Sequence, residues 1–492
     1  MEKFDLCVIG AGPSGYAAAM RGIDFGKKVA LIEKNKIGGA GIFNGALSSK
    51  TLWEISESYK VTRIKDQGFT VQNSTLNFLK VLGEMQLAVN ERYSQLTEQI
   101  EYYQKKGKIT LLNGHGRLQN KNEIIVSSNG REETIWADNT ILAIGSRPRK
   151  LPHIPIDENI IVTSDGVANF KDFPESIVIL GAGVIGCEFA TIFSNFGKTK
   201  VFLIDKESRI LPFEDEDISL ALAGNLESNG VTIHKGSSLD SMQIVDGKVQ
   251  YSLLYNDGRK EIHTVEKALI SIGRVANAEN LGLENIGFEL NDRGYAVDDK
   301  TQSNIPNIYA VGDFTADIAL VNVGELEGRY AVERIFGSPK RDLVYENIST
   351  IMFLNPEVAS VGLNETQAKM KKIPYRLAVM NYRYVNRAIA MRKLDGFFKI
   401  IVTDDDDMKI LGMRAMGNHA SSTIEVIALM ISMNIGIEYL AELIHPHPSI
   451  PEGLQECARM LLGKSIIKPE VFSKHLRCYK VSSEGINSEL IF

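Results

Sequence analysis

Two stretches of the chain repeat one pattern, which is an apolar run, a glycine-rich turn, a helix-forming stretch and a second apolar run. The first stretch contains LCVIGAGPSG and then KKVALIEK, and the second contains SIVILGAGVIG and then KTKVFLIDK. The glycines of both turns keep GxGxxG spacing and are Gly10, Gly12, Gly15, Gly181, Gly183 and Gly186. Each pattern predicts a βαβ unit with a tight turn before its helix. The chain is therefore constrained to two parallel sheets with flanking helices.

An acidic residue ends the second strand of each unit. Glu33 lies 18 positions after Gly15, and Asp205 lies 19 positions after Gly186. A carboxylate at this position accepts a hydrogen bond from the ribose of a bound dinucleotide, and the N-terminus of the helix attracts its phosphates. A single glycine-rich turn can arise by chance, but two turns with strand, helix and acid in place are not explained that way. The sequence therefore predicts two dinucleotide-binding domains.

Composition argues against several other classes of protein. A chain of 492 residues is long enough for roughly two to four domains. The net charge of −6, without a basic cluster, argues against binding to nucleic acid. No run of 18 apolar residues occurs, and the N-terminal MEKFDLCVIGAG leads into a strand without a signal-peptide pattern. We therefore predict a cytoplasmic protein without a membrane span.

The four cysteines do not form a metal or disulfide pattern. They are Cys7, Cys187, Cys457 and Cys478, and none is spaced as CxxC or as a metal-binding pair. We therefore predict no metal site and no disulfide framework. Cys7 lies in an apolar strand and Cys187 on a helix after a fingerprint, so burial as small hydrophobic residues is favoured over a redox role for both.

The remaining segments differ in character along the chain. Leu52–Lys106 carries apolar residues at helical spacing and is predicted to form one or two long helices. Short alternating strands follow the second unit, with a hairpin turn at Asp257-Gly258. From about Tyr345, strands followed by helices predict an α+β domain without a fingerprint. Asp404–Asp407 lies between two of its strands; a metal site and a solvated hairpin turn both remain open, and the turn is favoured.

The segment Gly38–Lys50 reads GGAGIFNGALSSK and resembles a segment of the pyridine nucleotide-disulfide oxidoreductases. In that family, which includes dihydrolipoamide dehydrogenase, the segment is similar to GGTCLNVGCIPSK, and its two cysteines form the redox disulfide beside the flavin. Gly41 and Ala46 occupy the two cysteine positions in this chain. The resemblance therefore implies a relative of these enzymes in which the redox disulfide is lost.

Four further motifs extend the resemblance over about residues 4–465. They are TILAIGSRP, ALISIGRVAN, TQSNIPNIYAVGDF and YENISTIMFLNPEVASVGL. The first two contain Gly145 and Gly273 and resemble the crossovers between the FAD and NAD domains of the family. The third resembles the second FAD motif, which implies that Asp313 hydrogen-bonds the ribityl chain and that Gly312 allows its close approach. The fourth resembles the start of the dimerisation domain.

The resemblance implies an α/β fold of two Rossmann-like dinucleotide-binding domains, one for FAD and one for NAD, with a C-terminal α+β dimerisation domain. The expected boundaries are 1–147 and 274–343 for the FAD-binding domain, 148–273 for the NAD(P)-binding domain, 344–470 for the dimerisation domain and 471–492 for a C-terminal tail. FAD then belongs with the first fingerprint and Glu33, and the nicotinamide nucleotide with the second.

Asp205 favours NADH over NADPH. Its carboxylate would accept a hydrogen bond from the 2′-hydroxyl of NADH and would repel the 2′-phosphate of NADPH. Lys206 follows immediately and blurs this signal, because relatives that use NADP usually carry basic residues just past this strand. NADPH therefore stays as the less favoured co-substrate.

The resemblance also places charged residues beside the flavin. Lys50 ends the altered segment and Glu188 follows the second fingerprint, and in the family these positions form an ion pair near the flavin N5. A lysine there would stabilise negative charge on the reduced ring. An ordinary helix lysine and an unrelated glutamate are the alternative, and the functional interpretation is favoured.

The segment HPHPSIPE contains a histidine and a glutamate at the family's acid/base positions. These residues are His447 and Glu452, and in the family they complete the active site of the partner subunit in a homodimer. A glutamate at this position fixes the tautomer of the imidazole and raises its pKa. Without a thiolate to serve, His447 either protonates another acceptor or is a structural remnant in the interface, and both interpretations remain open.

No other cysteine is predicted to replace the missing pair. Cys457 lies on the helix after His447 and is expected to be buried. Cys478 falls in the tail at 471–492, beyond the usual end of the family, and has no neighbouring cysteine in sequence. We expect this tail to be exposed or packed at an interface.

The predicted function is that of an FAD enzyme that takes a hydride from NADH and passes electrons from the flavin directly to a small-molecule acceptor other than a disulfide. Reduction of a disulfide requires an attacking thiolate, so dihydrolipoamide dehydrogenase activity is not expected. Quinones are the favoured acceptors. NAD(P) transhydrogenation and a catalytically silent flavin-binding partner subunit are the alternatives, and the sequence does not identify the physiological acceptor.

Overall fold

The computed structural model describes residues 1–64, 68, 71–72, 74–315, 318–485 and 487–489. The chain divides into two compact units, and each is described by itself. Unit 1 consists of Met1–Gly181, Ser241–Ser252 and Ile262–Leu343, and unit 2 consists of Ala182–Asp240, Leu253–Glu261 and Val344–Phe492.

The first part of the chain forms a parallel sheet with helices around it. Its elements are β1 (Glu2–Ile9), α1 (Pro13–Asp24), β2 (Val29–Glu33), α2 (Gly39–Ile42), α3 (Ala46–Val61), α4 (Phe78–Lys105), β3 (Ile109–Asn113), β4 (His115–Leu118), β5 (Glu123–Ser128), β6 (Arg131–Leu142) and β7 (Ser146–Pro148). The strand β1 ends in four buried apolar residues, Leu6, Cys7, Val8 and Ile9, and lies parallel to both β2 and β6. The two long helices α3 and α4 confirm the helical prediction for Leu52–Lys106 over residues 52–61 and 78–105; residues 65–67, 69–70 and 73 of this stretch lie outside the described part of the chain.

The next part carries the second fingerprint. Its elements are β8 (Ile161–Thr163), β9 (Ser176–Leu180), α5 (Val184–Phe196), β10 (Lys200–Ile204), α6 (Glu216–Ser228), β11 (Thr232–His234), β12 (Ser237–Val245), β13 (Lys248–Tyr255), β14 (Lys260–Val265), β15 (Lys267–Ile270) and β16 (Arg274–Ala276). In unit 1, β15 lies parallel to β8 and β9, and in unit 2, β10 lies parallel to β11. The Gly258 N–H donates to the Tyr255 carbonyl, which confirms the predicted hairpin turn.

The chain then returns to the first sheet. The elements are β17 (Asp298–Asp299), β18 (Gln302–Ser303), β19 (Ile308–Ala310) and α7 (Val321–Phe336). Because β19 lies parallel to β6, the sheet has the strand order β17-β18-β19-β6-β1-β2-β3, with β4 and β5 as a hairpin beside β6. The helix α7 packs against α1. This return brings Gly312 and Asp313 to the helix that follows the first fingerprint.

The C-terminal part is an antiparallel sheet with helices on it. Its elements are β20 (Ser349–Met352), β21 (Val358–Gly362), α8 (Glu365–Met370), β22 (Tyr375–Asn381), α9 (Asn386–Met391), β23 (Phe397–Thr403), β24 (Ile410–Met416), α10 (Ile424–Met433), α11 (Glu438–Glu442), α12 (Glu452–Leu461), β25 (Leu476–Val481) and β26 (Asn487–Glu489). The strand order is β20-β21-β24-β23-β22-β25-β26. The predicted α/β fold with a C-terminal α+β domain is confirmed.

Asp404–Asp407 forms the turn between β23 and β24, as favoured from the sequence. The Asp404 carboxylate accepts a hydrogen bond from Arg376 Nε at 2.7 Å, and its other oxygen pairs with Lys480 Nζ at 2.7 Å. These two cations neutralise the start of the turn.

Within the expected tail at 471–492, Leu476–Val481 and Asn487–Glu489 are strands of the sheet, and residues 486 and 490–492 lie outside the described part of the chain. The strand β25 pairs along β22 in antiparallel register, with Cys478 opposite Ala378, and β26 pairs with β25. Cys478 is only 4% exposed and packs into the apolar core of the domain. The expectation of an exposed or interface-packed tail was wrong for this strand because Leu476 and Cys478 face this core, and two buried positions are too short a pattern to identify without the pairing partner.

Among the described residues, no helix combines the length and the apolar character that a membrane crossing requires.

Candidate functional site

The first fingerprint forms a turn whose two outer glycines have steric reasons. Gly10 has φ +103°, and a Cβ there would lie 2.3 Å from the Ala143 carbonyl oxygen. A Cβ at Gly15 would lie 1.9 Å from the Gly10 carbonyl oxygen. At Gly12, the N-cap of α1, a Cβ would meet nothing within 4 Å. The outer glycines therefore allow close packing, and the middle one faces open space.

The second fingerprint has the same shape. Gly181 has φ +103°, and a Cβ there would lie 2.5 Å from the Ser271 carbonyl oxygen. Gly183 is the N-cap of α5, and a Cβ there would again meet nothing within 4 Å. Gly186 is buried in the first turn of α5. Each unit therefore presents one helix N-terminus with a glycine that leaves room in front of it.

Glu33 braces the first turn. One carboxylate oxygen accepts a hydrogen bond from the Ala11 N–H at 2.8 Å, inside the fingerprint, and the other accepts from the Asn35 N–H at 2.7 Å. Ala11 lies between the first two glycines, so this acid fixes the loop that approaches a phosphate. The sequence predicted only the ribose contact, which stays a prediction.

Asp205 makes the two equivalent contacts at the second fingerprint. Its Oδ2 accepts from the Ala182 N–H at 2.6 Å, and its Oδ1 accepts from the Glu207 N–H at 3.0 Å. The repeated geometry shows that both acids hold their glycine-rich loop, whatever they contribute to a nucleotide.

Both turns fit the pyrophosphate of a dinucleotide. Gly12 and Gly183 cap helices of 12 and 13 residues without a side-chain hydrogen bond to the first turn. The free N–H groups and the helix dipole attract an anion, and the open space at each glycine leaves room for one. The residues present at both turns therefore fit a dinucleotide such as FAD or NAD(P)H.

Asp313 lies in a short helical turn, Gly312–Phe314, beside the first fingerprint. Gly312 has φ +68°, and its N–H donates to the buried carboxylate of Glu327 at 2.6 Å. Asp313 Oδ2 accepts from the Ser146 hydroxyl at 2.5 Å. Asp313 Oδ1 makes no hydrogen bond within the described part of the chain, so it can accept one from a ligand.

The two crossover motifs pair with each other. The strands β7 and β16, which follow Gly145 and Gly273, are antiparallel, with Ser146 opposite Ala276. Both glycines have positive φ, +64° and +99°. This pairing places Ser146 and Arg274 next to the Gly312–Phe314 turn.

The altered segment lines a cavity in unit 1. Gly41 lies on α2, Ala46 begins α3, and Lys50 lies one turn further along α3. All three line a cavity of about 620 Å³. The other lining residues are Pro13, Tyr16, Ala17, Gly38, Ile42, Leu47, Ala88, Glu91, Arg92, Gln95, Leu96, Val321 and Glu325.

Gly41 is packed too closely to accept a side chain. A Cβ there would lie 2.5 Å from Pro13 Cγ and 3.3 Å from Pro13 Cδ. The proline ring cannot rotate away, so a cysteine at this position requires α2 or α1 to shift. Hydrogen bonds hold the rest of the segment, since Ser49 Oγ donates to the Gly45 carbonyl at 2.7 Å and Asn44 contacts Asp165 at 3.3 Å. The segment is therefore ordered without a disulfide.

Gly41→Ala is expected to lower the free energy of unfolding by about 1–3 kcal/mol, because the added methyl overpacks the contact with Pro13. Gly83→Ala is the matched control, since Gly83 lies on α4 and a Cβ there meets nothing within 4 Å. The control should gain about 0.5–1 kcal/mol from helix propensity. Urea unfolding of both variants measures the difference, and equal effects of the same sign would contradict the packing described.

Lys50 and Glu188 lie in different units. Lys50 is partly buried, and its Nζ lies 3.4 Å from the Ser49 hydroxyl. Glu188 lies on α5, is 4% exposed, and accepts a hydrogen bond from the Phe353 N–H at 3.1 Å. The ion pair between Lys50 and Glu188 stays a prediction.

His447 and Glu452 form the hydrogen bond expected from the sequence. His447 Nδ1 lies 2.7 Å from Glu452 Oε1, and the Ser449 N–H donates to Oε2 at 2.6 Å. Burial acts to raise the pKa of Glu452, but these hydrogen bonds outweigh it and hold the pKa below its usual range. The imidazole itself is exposed, so it is available to another molecule.

The four cysteines are free and buried, as predicted for Cys7, Cys187 and Cys457. Burial raises the pKa of each thiol, to about 12 for Cys478 and further for the other three. None is therefore a thiolate near neutral pH.

Sequence reasoning missed the groups that hold the site. Ser146, Arg274 and Glu327 were not singled out, although Ser146 and Arg274 each directly follow a crossover glycine. That shared position was the available signal, since a residue beside a glycine that allows a close approach of the cofactor is itself held close to the cofactor.

Two family models match the chain. The model of the pyridine nucleotide-disulphide oxidoreductases matches residues 4–328, and the model of their dimerisation domain matches residues 348–458.

Relatives and solved structures agree with these matches. Dihydrolipoyl dehydrogenase from Chlamydia trachomatis is 34% identical over 95% of the chain and 99% of its own length. The same enzyme from Bacillus subtilis is 33% identical over 94% and 99%. Among solved structures, LpdA from Mycobacterium tuberculosis has a TM-score of 0.85 at 24% identity, covering 94% of this chain and 100% of its own. The Cu(II) complex of the HOCl-induced flavoprotein disulfide reductase RclA from Escherichia coli has a TM-score of 0.83 at 25% identity, with the same coverage.

Proposed function

Because the chain belongs to the pyridine nucleotide-disulphide oxidoreductase family, whose members bind FAD and NAD(P)H, we propose that it takes a hydride from NADH and passes electrons from FAD to an acceptor other than a disulfide. Quinones are the favoured class of acceptor. The observation that carries this proposal is the Gly41 position, which lacks a sulfur and has no room for a side chain beside Pro13.

The four cysteines of this chain do not provide the thiolate that disulfide reduction needs. Reduction of lipoamide proceeds by thiol–disulfide exchange, which needs an attacking thiolate beside the flavin. The cysteines are buried with raised pKa values, and Gly41 and Ala46 line the cavity in place of thiols. We therefore expect no dihydrolipoyl dehydrogenase activity from this chain.

In this proposal the first fingerprint binds FAD and the second binds the nicotinamide nucleotide. Bound FAD would accept the hydride of NADH and deliver two electrons to the acceptor. FAD would be held by Gly12 and Glu33 of the first fingerprint and by Gly312 and Asp313 of the second FAD motif. All four residues lie in unit 1. Asp205 supports NADH over NADPH, since its carboxylate already occupies the side of the turn where a 2′-phosphate would bring a second negative charge.

The cavity beside Lys50 suits a quinone. Its apolar side chains, those of Tyr16, Ile42, Leu47, Leu96 and Val321, can cover the ring. The cations Lys50 and Arg92 are balanced by the carboxylates Glu91 and Glu325, so the cavity favours a neutral molecule that has hydrogen-bond acceptors.

The remaining proton comes from a second copy of the chain in this proposal. Reduction of a quinone by one hydride also consumes one proton, and the exposed His447 imidazole held by Glu452 can donate it. The dimerisation domain supports a homodimer. Exposed apolar side chains on and after α10 and α11 also suit a second copy, and they are Leu429, Met433, Tyr439, Leu443 and Ile444.

Anaerobic titration of the FAD-loaded protein with NADH tests the proposal. We expect complete bleaching of the flavin at about one equivalent of NADH per subunit, without a long-wavelength thiolate-to-flavin band. NADPH should reduce the flavin more slowly. Naphthoquinones such as menadione should reoxidise the flavin rapidly, and oxidised lipoamide should not.

Three outcomes would contradict parts of this proposal. Uptake of about two equivalents, or a long-wavelength band, would show a thiol in the site. A flavin that stays oxidised would identify a silent flavin-binding homologue. Rapid transfer to a nicotinamide analogue but not to quinones would identify a transhydrogenase.

A further inference from the structure

A chain of three polar groups ends at the Asp313 carboxylate. Arg274 Nε donates to the Ser146 hydroxyl at 2.7 Å, and the Ser146 hydroxyl donates to Asp313 Oδ2 at 2.5 Å. Arg274 Nη2 donates to the Ser146 carbonyl at 2.7 Å, which fixes the guanidinium relative to β7. Arg274 Nε itself lies 3.8 Å from Asp313 Oδ2. The two crossover strands therefore meet at the FAD motif.

The direction of these hydrogen bonds follows from what each group can do. A guanidinium only donates, so the Ser146 oxygen must accept from Arg274. The single hydroxyl proton of Ser146 then points to Asp313, which as a carboxylate only accepts. The positive charge of Arg274 thus acts on Asp313 both directly and through an oriented hydroxyl. Both contacts hold Oδ2 of Asp313 in place.

The backbone at Asp313 is fixed from the opposite side. The carboxylate of Glu327, which is 1% exposed, accepts from the Gly312 N–H. A Cβ at Gly312 would lie 2.7 Å from Ser14 Oγ, so the turn is pressed against α1. With the backbone and Oδ2 both held, the free Oδ1 has one orientation.

We propose that Arg274, acting through Ser146, is the positioning residue that keeps the Asp313 carboxylate oriented for the ribityl hydroxyls of FAD. This inference rests on the proposed FAD site and adds residues that act at its crossover rather than on the cofactor. A ribityl hydroxyl is a neutral donor, and a fixed carboxylate binds it more strongly than a rotating one because no orientation is lost on binding.

The charge of Arg274 also acts on a second carboxylate, that of Asp165. Burial raises the pKa of Asp165, and Arg274 opposes this rise. Removal of Arg274 therefore affects both Asp165 and Asp313, whereas Ser146→Ala removes only the relay. The serine variant is isosteric apart from one oxygen and is the cleaner test.

The test is the affinity of the apoprotein for FAD, followed by flavin fluorescence, with the midpoint potential of the bound flavin as a second measurement. We expect Ser146→Ala and Arg274→Gln to weaken FAD binding about 10- to 100-fold, and Arg274→Lys to recover part of the loss. Arg147→Gln is the matched control, because Arg147 lies on the same strand but pairs with Glu279. It should bind FAD within about 2-fold of the unmodified protein.

A double-mutant cycle separates positioning from general structural damage. If Ser146 acts through Asp313, Ser146→Ala should have little further effect in an Asp313→Ala background. Full additivity, or unchanged FAD affinity in folded Ser146→Ala, would overturn this inference. If the unmodified apoprotein fails to bind FAD, the proposed function itself fails, and that result is distinct from the first two.

Discussion

Gly12→Asp is expected to abolish FAD binding, whereas Gly183→Asp should leave FAD bound and block its reduction by NADH. Each glycine is the N-cap of the helix after its fingerprint, with open space in front of it. An aspartate there places a carboxylate where the pyrophosphate would lie. At about 4 Å the repulsion is about 4 kcal/mol, which weakens binding roughly 1000-fold.

The two variants should fold normally. Gly12 and Gly183 have φ −68° and −77°, which an aspartate adopts without strain, and aspartate is a favoured N-cap residue. Flavin content after purification and the rate of flavin bleaching by NADH measure the two effects. The neutral Gly12→Asn and Gly183→Asn variants are controls that should lose less affinity. Loss of FAD from Gly183→Asp with retention in Gly12→Asp would reverse the assignment of cofactors to the two turns.

Lys399→Met is expected to destabilise unit 2 by about 3–5 kcal/mol. Lys399 lies on β23 with a side chain that is 3% exposed, and its Nζ contacts three carboxylates. The distances are 3.3 Å to Asp215, 2.6 Å to Asp217 and 2.7 Å to Glu365. Burial acts to lower the pKa of Lys399, but the three carboxylates outweigh it and raise the pKa. Without the ammonium group, the three carboxylates repel one another, and burial reduces the screening of this repulsion by water.

The loss should depend on pH in a defined direction. In the variant, repulsion among Asp215, Asp217 and Glu365 favours their protonated forms in the folded protein, so we expect the folded protein to bind more protons than the unfolded chain as the pH falls. The difference in stability between the variant and the unmodified protein should therefore shrink between about pH 8 and about pH 5. Lys409→Met is the control, because its partner Asp407 is exposed, and its effect should stay below about 1 kcal/mol. Urea unfolding at both pH values measures this, and a pH-independent loss would contradict the electrostatic explanation.

Local patterns predicted the parts of the molecule that depend on local geometry. The fingerprint turns, the α3–α4 helices and the Asp257-Gly258 turn follow from glycine positions and apolar spacing, which fix short-range structure. The acids Glu33 and Asp205 were identified as well. Their hydrogen bonds to the fingerprint loop were not, because the loop and the strand end meet only after folding.

The missed features depend on partners that are distant in sequence. Ser146 lies 167 positions before Asp313, and Arg274 joins them from a third segment. The strand β25 was missed because a six-residue pattern needs the pairing edge of β22 to identify it. Lys399 carried a usable signal, since a charged residue inside the apolar run FFKIIV requires a buried counter-charge.

The contact between Gly41 and Pro13 makes the thiol-free segment difficult to revert. A cysteine introduced at position 41 alone meets a rigid ring, and a cysteine introduced at position 46 alone has no partner with which to form a disulfide. Neither single substitution restores thiol chemistry, and the first lowers stability before any benefit arises. A disulfide here therefore requires both cysteines, and the one at position 41 costs stability in either order of introduction, so the packing of α2 against α1 opposes its formation.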